Sequence, residues 1–394
     1  MKIEHVEAVR FEGSLWGAFW DIQKSAPCVG PLSHYPEYAT ALEGWWWPQA
    51  QVLVRIVSDT GVTGIGWAED GTGGATAIIE RHLSRLLMHK DPLRSEVLWD
   101  QLYRASIPYG RGGVLMHALS AVDIALWDLR GKEAGLPVHA LLGGARQLSL
   151  KAYASHLQPV PVEDLVAEAQ GYVADGYTAM KMRMPGGPAH GRAGLRRNEA
   201  LIGAVRTAIG DDVDLMLDAY MGWDLRFAVQ MAGIAAALGI GWMEEPLLPD
   251  EHHAYRVLCD KSQVVIAHGE NVFTPWDFHH LMEGGAMQLA QPDVHRCGGI
   301  TGFKRIAMIA ESFGIEVAPH AFSSPTVHVC STLTNCRMLE KLTIPCWAEG
   351  RYPDVPPLFL GEPAVENGSV RIPDQPGLGV RLNTDVVPHL ASWH

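Results

Sequence analysis

The architecture is indicated by five short stretches that each carry an acid or a histidine at the end of a candidate strand: LMLDAY (215–220), WMEEP (242–246), AHGEN (267–271), QPDVH (291–295) and APHAF (318–322). Their polar end residues are 26, 26, 23 and 27 residues apart: Asp218, Glu244, Glu270, Asp293 and His320. Each interval is about the length of one strand plus one helix, which predicts parallel strands joined by helical crossovers. The carboxyl ends of such strands meet at one rim, so we expect the five side chains to converge there.

The same alternation of β-rich strings and helix-period segments extends over residues 148–345. The predicted strands are 149–155, 177–183, 213–218, 241–245, 264–270, 287–293 and 315–320. Repeated units of this kind over about 200 residues have the size of a TIM-type barrel. We therefore predict an α/β protein with a modified (β/α)8 barrel at residues 148–345.

Residues 1–147 have a different pattern. Residues 52–57 alternate as a strand does and precede a turn at 58–61, whereas residues 118–132 have the spacing of a helix. Strands followed by helices predict an α+β N-terminal capping domain. The proline-rich residues 346–394 are expected to return to this domain.

Composition limits the kind of partner. The chain has 394 residues, of which 47% are hydrophobic, and a formal net charge of −13 without a basic run. This balance argues against nucleic acid and membrane partners, so we expect a small molecule. The start lacks the features of a secretory signal, and no apolar stretch is long enough to span a bilayer, which favours a cytoplasmic location. The six cysteines form no C-x-x-C pair and are expected to be core thiols.

Three of the strand-end acids predict a metal site. Asp218, Glu244 and Glu270 offer an all-oxygen set of the kind that a hard cation such as Mg²⁺ prefers. Glu245 competes with Glu244 for the same role, but strand alternation allows only one of the two to face inward.

Two further pairs predict chemistry beside the metal. Lys181 and Arg183 are two residues apart in one predicted strand, so both face the barrel interior, where they suit a carboxylate substrate. Asp293 precedes His320 by one strand. A carboxylate bonded to one imidazole nitrogen makes the other a better base, so we interpret this pair as a catalytic dyad.

These residues together resemble the enolase superfamily and, within it, the mandelate racemase subgroup. The matching features are SAVDIALWDLRGK (120–132), LPVHALLGG (136–144), the D…E…E strand ends, the Asp293–His320 pair, Glu340 in RMLE and PGLGVRL (376–382). The resemblance implies Mg²⁺ on the three acids and abstraction of the proton α to a carboxylate. It also implies that Glu340 hydrogen-bonds the substrate carboxylate, and that the protein forms homo-oligomers.

One departure from the subgroup narrows the expected reaction. Members that invert a stereocentre have Lys-x-Lys, whereas this chain has Lys181-Met182-Arg183. Arginine holds its proton too tightly to act as a base at neutral pH, so His320 remains as the single base. A single base suits a sugar-acid (aldonate or aldarate) dehydratase that gives a 2-keto-3-deoxy acid. The segments GGPAHGRAGLRRNE (186–199) and PYGRGGVLMHALSAVDIALWDL (108–129), together with the tail, most resemble the rhamnonate dehydratase branch. An epimerase or cycloisomerase using the same enolate, and a non-catalytic sugar-acid binding protein, are the alternatives.

Loops of the capping domain should cover the site, because the barrel rim alone leaves it open to water. His34 and Trp46 are the candidate substrate contacts in these loops. Trp46 lies between two further tryptophans, and all three cannot face one way, so packing at a subunit contact is an equal alternative.

Overall fold

The capping domain begins with an antiparallel three-stranded sheet in the computed structural model, which describes residues 1–12, 28–38, 48–343 and 356–393. Its strands are β1 (Ile3–Glu12), β2 (Ala50–Ser58) and β3 (Thr63–Glu69). Five helices follow: α1 (Gly74–Ile78), α2 (Ser84–Leu87), α3 (Ser95–Ser106), α4 (Val114–Ala134) and α5 (Val138–Leu141). The order of strands before helices agrees with the α+β prediction.

Two glycines of β3 allow α4 to lie directly on the sheet. A Cβ atom at Gly66 would lie 2.0 Å from the carbonyl oxygen of Ala121, and one at Gly64 would lie 2.2 Å from that of Ala125. Any side chain at these positions would push the helix off the sheet. The Gly-x-Gly spacing of β3 therefore sets the close packing of this domain.

Eight parallel strands form the barrel within the described residues. They are β4 (Ser149–His156), β5 (Ala179–Arg183), β6 (Asp214–Asp218), β7 (Ile240–Glu244), β8 (Val265–His268), β9 (Leu289–Ala290), β10 (Glu316–Val317) and β11 (Leu339–Leu342). Strand β11 pairs with β4, and a parallel bridge between Val317 and Cys336 joins the two ends of the sheet. The predicted barrel is confirmed.

Helices alternate with these strands along the outside. They are α6 (Val162–Ala174), α7 (Gly191–Ile209), α8 (Leu225–Ala237), α9 (His252–Lys261), α10 (Pro275–Glu283), α11 (Gly299–Ser312) and α12 (Ser324–Ser331). Local sequence sets their starts. The Asp224 carboxylate accepts the backbone N–H of Phe227 at α8, and the Thr274 hydroxyl accepts that of Asp277 at α10.

The barrel interior is layered because side chains alternate along each strand. An apolar layer fills its lower part: Tyr153, Ala179, Met216, Trp242, Ala267, Leu289, Ala318 and Met338. The residues two positions further along seven of the strands are polar: Ser155, Lys181, Asp218, Glu244, Gln291, His320 and Glu340. The fold thus places a polar layer on an apolar floor at the carboxyl ends of the strands.

Several strands are shorter than predicted. The predicted strands 287–293 and 315–320 shrink to the two-residue β9 and β10, each followed by an early proline, Pro292 or Pro319. Proline has no N–H to donate to a neighbouring strand, so pairing ends before it. Strand β11, which carries Glu340, was not among the predicted strands.

The C-terminal residues contact both parts of the molecule. Strands β12 (Phe359–Leu360) and β15 (Arg381–Leu382) pair with each other, and the hairpin of β13 (Val365–Glu366) and β14 (Ser369–Arg371) adds to β4. The backbone N–H of Leu378 donates to Asp128 of α4. The boundaries at 147/148 and 345/346 stay predictions. Among the described residues, the helices lack the length and apolarity needed to cross a membrane.

Candidate active site

Lys181 is at the centre of the polar layer. Its ammonium contacts Glu244 Oε1, lies 2.8 Å from Glu340 Oε1 and 3.5 Å from Asp218 Oδ2. Burial lowers its pKa, but the carboxylates of Glu244 and Glu340 outweigh burial and hold the pKa of Lys181 well above its usual value. Lys181 is therefore a fixed cation in this site.

Arg183 is the second cation of β5. Its Nη1 lies 3.0 Å from Asp218 Oδ2, and its guanidinium lies over the ring of Tyr220 at 5.7 Å from the centroid. Burial lowers its pKa, yet the Asp218 carboxylate outweighs burial and raises the pKa of Arg183 above its ordinary value. Arg183 is thus suited to binding an anion or a hydroxyl and unsuited to accepting a proton.

Glu244 faces the barrel interior, where both of its oxygens have partners. Oε2 accepts from Gln291 Nε2 at 2.5 Å and from Trp242 Nε1 at 3.2 Å, while Oε1 contacts Lys181. Burial, together with the nearby Asp218 carboxylate, raises the pKa of Glu244 to about 7 despite Lys181. A cation in the site would offset this cost.

Glu245 differs from Glu244 in backbone conformation and in side-chain partner. Its backbone has a φ of 39°, a left-handed conformation, so the strand ends at this residue. Its Oε2 accepts from Asn271 Nδ2 at 2.9 Å. Burial and the carboxylate of Glu270 raise the pKa of Glu245 well above its usual value. The prediction that one of the two glutamates faces the barrel interior agrees with this arrangement.

His320 lies between two carboxylates. Its Nδ1 is 2.9 Å from Asp293 Oδ2, and its Nε2 is 3.2 Å from Glu270 Oε2. Burial lowers the pKa of His320, but Glu270 and the hydrogen bond to Asp293 outweigh it and raise the pKa to about 9. Burial raises the pKa of Asp293, but the bond to His320 outweighs it and holds that pKa below its usual value. The pair has the geometry expected of a dyad.

Glu340 is held by three donors in the same layer. Besides Lys181, Ser155 Oγ donates to its Oε1 at 2.7 Å, and the backbone N–H of Ala321 donates to its Oε2 at 3.0 Å. Burial raises the pKa of Glu340, yet Lys181 outweighs burial and lowers it to about 2. Glu340 is therefore a hydrogen-bond acceptor here. It could donate a hydrogen bond to a substrate carboxylate, as the resemblance implies, only after taking up a proton.

Arg296 joins the capping domain to the site. Its Nη2 lies 3.1 Å from Glu69 Oε1 of β3, its Nη1 lies 3.5 Å from Glu270 Oε1, and its Nε lies 3.4 Å from Asp293 Oδ2. Burial lowers the pKa of Arg296, but Glu69 and Asp293 outweigh burial and raise it well above the usual value. One buried guanidinium thus holds acids from both domains.

The three predicted metal ligands have the ligand chemistry that Mg²⁺ prefers. Asp218, Glu244 and Glu270 are buried, come from consecutive strand ends and offer only oxygen. Within the described residues, only His279, His280 and Glu283 have three ligand atoms all within 4.8 Å of one another, so the carboxylates are spaced more widely. In this arrangement the three carboxylates pair with Lys181, Arg183 and His320. A divalent cation would replace these contacts.

The predicted cap residues have different outcomes. His34 is exposed and makes no hydrogen bond or ion pair with the described residues, and Trp46 lies outside them. The segment that carries His34 reaches the barrel rim, because the backbone N–H of Val29 donates to Met184 O at 2.9 Å. Burial raises the pKa of the Cys28 thiol in this segment to about 11, although the nearby positive charge of Arg183 opposes the rise.

Several site residues were missed from the sequence. Ser155 and Gln291 lie two positions after the inward-facing Tyr153 and Leu289, so the two-residue period could have found them. Arg296 follows Asp293 by three residues, a weak signal. Nothing in the sequence pattern indicated Cys28 or Glu69.

Comparison with known families agrees with this geometry. Residues 164–386 match the family described as enolase C-terminal domain-like, and residues 45–143 match the N-terminal domain of mandelate racemase and muconate lactonizing enzyme. The chain belongs to the enolase superfamily. The resemblance inferred from the motifs is thereby confirmed.

Individual relatives of this enolase superfamily member differ in their chemistry. It is 34% identical to an L-rhamnonate dehydratase of Saccharopolyspora erythraea, with 98% of each chain covered. The Mg complex of rhamnonate dehydratase from Gibberella zeae has a TM-score of 0.88 at 27% identity and covers 98% of this chain and 95% of that one. The 3,6-anhydro-D-galactonate cycloisomerase from Zobellia galactanivorans has a TM-score of 0.79 at 28% identity, with 99% of each chain covered.

Proposed function

We propose that the protein is a Mg²⁺-dependent sugar-acid dehydratase that converts an aldonate or aldarate into a 2-keto-3-deoxy acid. The observation that carries this proposal is the imidazole dyad of His320 with Asp293, at the same barrel rim as two cations that are unsuited to act as bases. One base can remove the proton at C2 and deliver it elsewhere, whereas inversion at C2 needs a second proton donor on the opposite face. Arg183, the second cation of β5, is unsuited to be that second proton donor and acceptor.

Binding would depend on the cations of β5 and their neighbours. Lys181 offers an ammonium to the substrate carboxylate, and Ser155 adds a hydroxyl beside it. When the carboxylate enters, it competes with Glu340 for Lys181. Charge from Lys181 is already fixed where negative charge develops on the substrate, so little reorganisation is needed.

His320 would carry the proton. Its Nδ1–H donates to Asp293, which leaves Nε2 as the atom that accepts the C2 proton. The C3–O bond then breaks, and the departing hydroxide takes that proton from Nε2 to leave as water. The enol product tautomerises to the 2-keto acid.

The predicted ligands of Mg²⁺ are Asp218, Glu244 and Glu270. When bound there, Mg²⁺ would supply positive charge that offsets these carboxylates, including the attraction of Glu270 for a proton on His320, and would stabilise charge on the substrate carboxylate. Two named relatives support dehydration as the reaction of this chain.

The similarity to a cycloisomerase keeps one second candidate open, in which the same enolate leads to ring chemistry or epimerisation. Exchange of the C2 proton in D₂O without keto-acid formation would favour that candidate. A non-catalytic binding role is disfavoured, because binding alone requires no imidazole–carboxylate dyad at the site.

The test is turnover of L-rhamnonate and a panel of aldonates and aldarates with Mg²⁺, read as 2-keto acid. We expect at least one acid to be dehydrated, and we expect His320→Asn to reduce that rate by at least about 100-fold. Because His320 also contacts the predicted ligand Glu270, the rates of the two proteins are compared at saturating Mg²⁺. If the metal-loaded protein forms no 2-keto acid from any acid of the panel, the proposal is rejected.

A further inference from the structure

Gln158 is a wholly buried glutamine whose amide has no partner. The residue is 0% exposed, and neither its Nε2 nor its Oε1 makes a hydrogen bond within the described part of the chain. An amide carries two donor hydrogens and an acceptor oxygen, and burying all of them unsatisfied costs free energy. Buried polar groups are almost always hydrogen-bonded, so this exception needs a physical reason.

The position of Gln158 connects it to the candidate active site. It lies two residues beyond β4, at the barrel rim where the polar layer is found. The carbonyl oxygen of the preceding Leu157 accepts the backbone N–H of Arg183 at 3.1 Å. The Nε of Arg183 is also buried without a hydrogen-bond partner among the described residues. Unsatisfied donors and acceptors therefore occur together on two adjoining strand ends.

The backbone holds Gln158 in a fixed frame. Leu157 has a φ of 33°, a left-handed conformation that a branched residue adopts only at a cost. The buried carboxylate of Glu168 accepts the Leu157 N–H at 3.0 Å and the Tyr172 hydroxyl at 2.8 Å. The backbone N–H of Val160 closes the turn by donating to Gln158 O at 2.7 Å. A rigid frame that presents an unpaired amide is typical of a preorganised binding site.

We propose that the Gln158 amide, with the Nε of Arg183, binds hydroxyl groups of a polyhydroxy acid beyond its C2 position. This inference rests on the proposed function, because it assigns a role to residues at the same site. A neutral amide matches neutral hydroxyls, since it can donate to one and accept from its neighbour. Lys181 then binds the carboxylate end of the substrate, and Gln158 contacts the hydroxyl groups of the carbons beyond it.

The first experiment measures thermal stability without substrate. Gln158→Leu removes the unsatisfied amide at similar size, so we expect its melting temperature to rise above that of the parent. Gln170→Leu, on the exposed face of α6, is the matched control and should not show this rise. A fall in the melting temperature of Gln158→Leu would mean that the amide has partners in the protein, and it would overturn the proposal.

The second experiment measures binding to Mg²⁺-loaded protein in the His320→Asn background, so that it does not depend on turnover. The probes are L-rhamnonate, D-galactonate and glycolate, which has no carbon beyond C2. We expect Gln158→Leu to weaken binding of at least one sugar acid by about tenfold or more while glycolate affinity stays within about twofold. Unchanged affinity for both sugar acids would show that the amide meets ordered water only.

The two proposals fail in different ways. If His320-dependent turnover is found but Gln158→Leu binds the sugar acids as the parent does, the dehydratase proposal stands and the role of Gln158 is rejected. If the His320→Asn protein with Gln158 intact binds neither sugar acid, the assignment of Gln158 to sugar hydroxyls is also rejected. If binding depends on Gln158 but no acid is turned over, the binding role stands and dehydration is rejected.

Discussion

Glu244 and Glu245 are neighbours whose surroundings differ in charge. Glu244 faces Lys181, Gln291 and Trp242 inside the barrel, whereas Glu245 turns out of the strand at a φ of 39° toward Asn271. Burial raises the pKa of both carboxyls. A bound cation can relieve this cost only for the carboxylate that reaches it.

We expect Glu244→Gln to weaken Mg²⁺ binding by more than about 100-fold, since the loss of a ligand should exceed the 10- to 100-fold cost of losing an outer partner. Glu245→Gln should change Mg²⁺ affinity by less than about tenfold, because its amide can still pair with Asn271. Isothermal titration of the metal-free proteins measures both values. A larger loss in Glu245→Gln than in Glu244→Gln would exchange the two assignments.

Helix α4 links the two domains through polar groups on a largely buried helix. The hydroxyl of Ser120 accepts the backbone N–H groups of Gly298 and Gly299, and Asp123 accepts the N–H and the hydroxyl of Thr301. The motif SAVDIALWDLRGK is therefore an interface between the capping sheet and α11. Ser120 and Asp123 thus have partners nearly 180 positions away in the chain.

The pH dependence of stability should reveal Asp123. Burial, opposed by the bonds from Thr301, raises the pKa of Asp123 from a usual value of 3.8 to about 7. The folded state then binds this proton more tightly than the unfolded state does, so stability decreases as pH rises from about 4 to about 7. The decrease is up to roughly 4 kcal/mol, at about 1.4 kcal/mol per pH unit.

Asp123→Asn should flatten this part of the profile, because an amide does not titrate and the Thr301 hydroxyl can accept its N–H. Urea unfolding at pH 5, 6, 7 and 8 gives the free energy of unfolding for both proteins. The difference between the two profiles isolates Asp123 from the other titrating groups. Equal slopes would show that Asp123 is ionised in the folded protein throughout the range.

Local rules predicted the elements better than their lengths. The 23- to 27-residue spacing of strand-end polar residues was enough to predict the barrel, because each interval holds one strand and one helix. Strand ends near Pro292 and Pro319 depend on where pairing stops, which the apolar pattern does not report. Strand β11 was missed, because its sequence LEKL contains two charged residues and forms no apolar run.

At the scale of the whole molecule, the site depends on contacts that no local pattern encodes. Lys181, Arg183 and the strand-end acids follow from the barrel repeat, whereas Glu69 reaches Arg296 across 227 positions. Gln158 was missed for another reason: its side chain makes no hydrogen bond among the described residues, and a sequence pattern does not reveal a missing partner. Sequence therefore predicted the groups that carry charge at the rim better than those that position them.

Arg296 should couple the stability of the two domains. Its removal by Arg296→Met leaves Glu69, Glu270 and Asp293 without their shared cation, and stranding buried charge typically costs about 3–5 kcal/mol. We expect a loss of at least about 3 kcal/mol by urea unfolding in the presence of a metal chelator. Adding Glu69→Gln should recover part of the loss, since one stranded charge is removed.

The matched control for this prediction is Glu96→Gln, which breaks an exposed ion pair with Arg305 across the same interface. Exposed pairs contribute little, so this variant should lose no more than about 1 kcal/mol. If Arg296→Met lost as little as the control, the guanidinium would be screened by water despite its burial. If the double variant lost the sum of the single losses, Glu69 and Arg296 would act independently, and the proposed coupling between the capping domain and the site would be wrong.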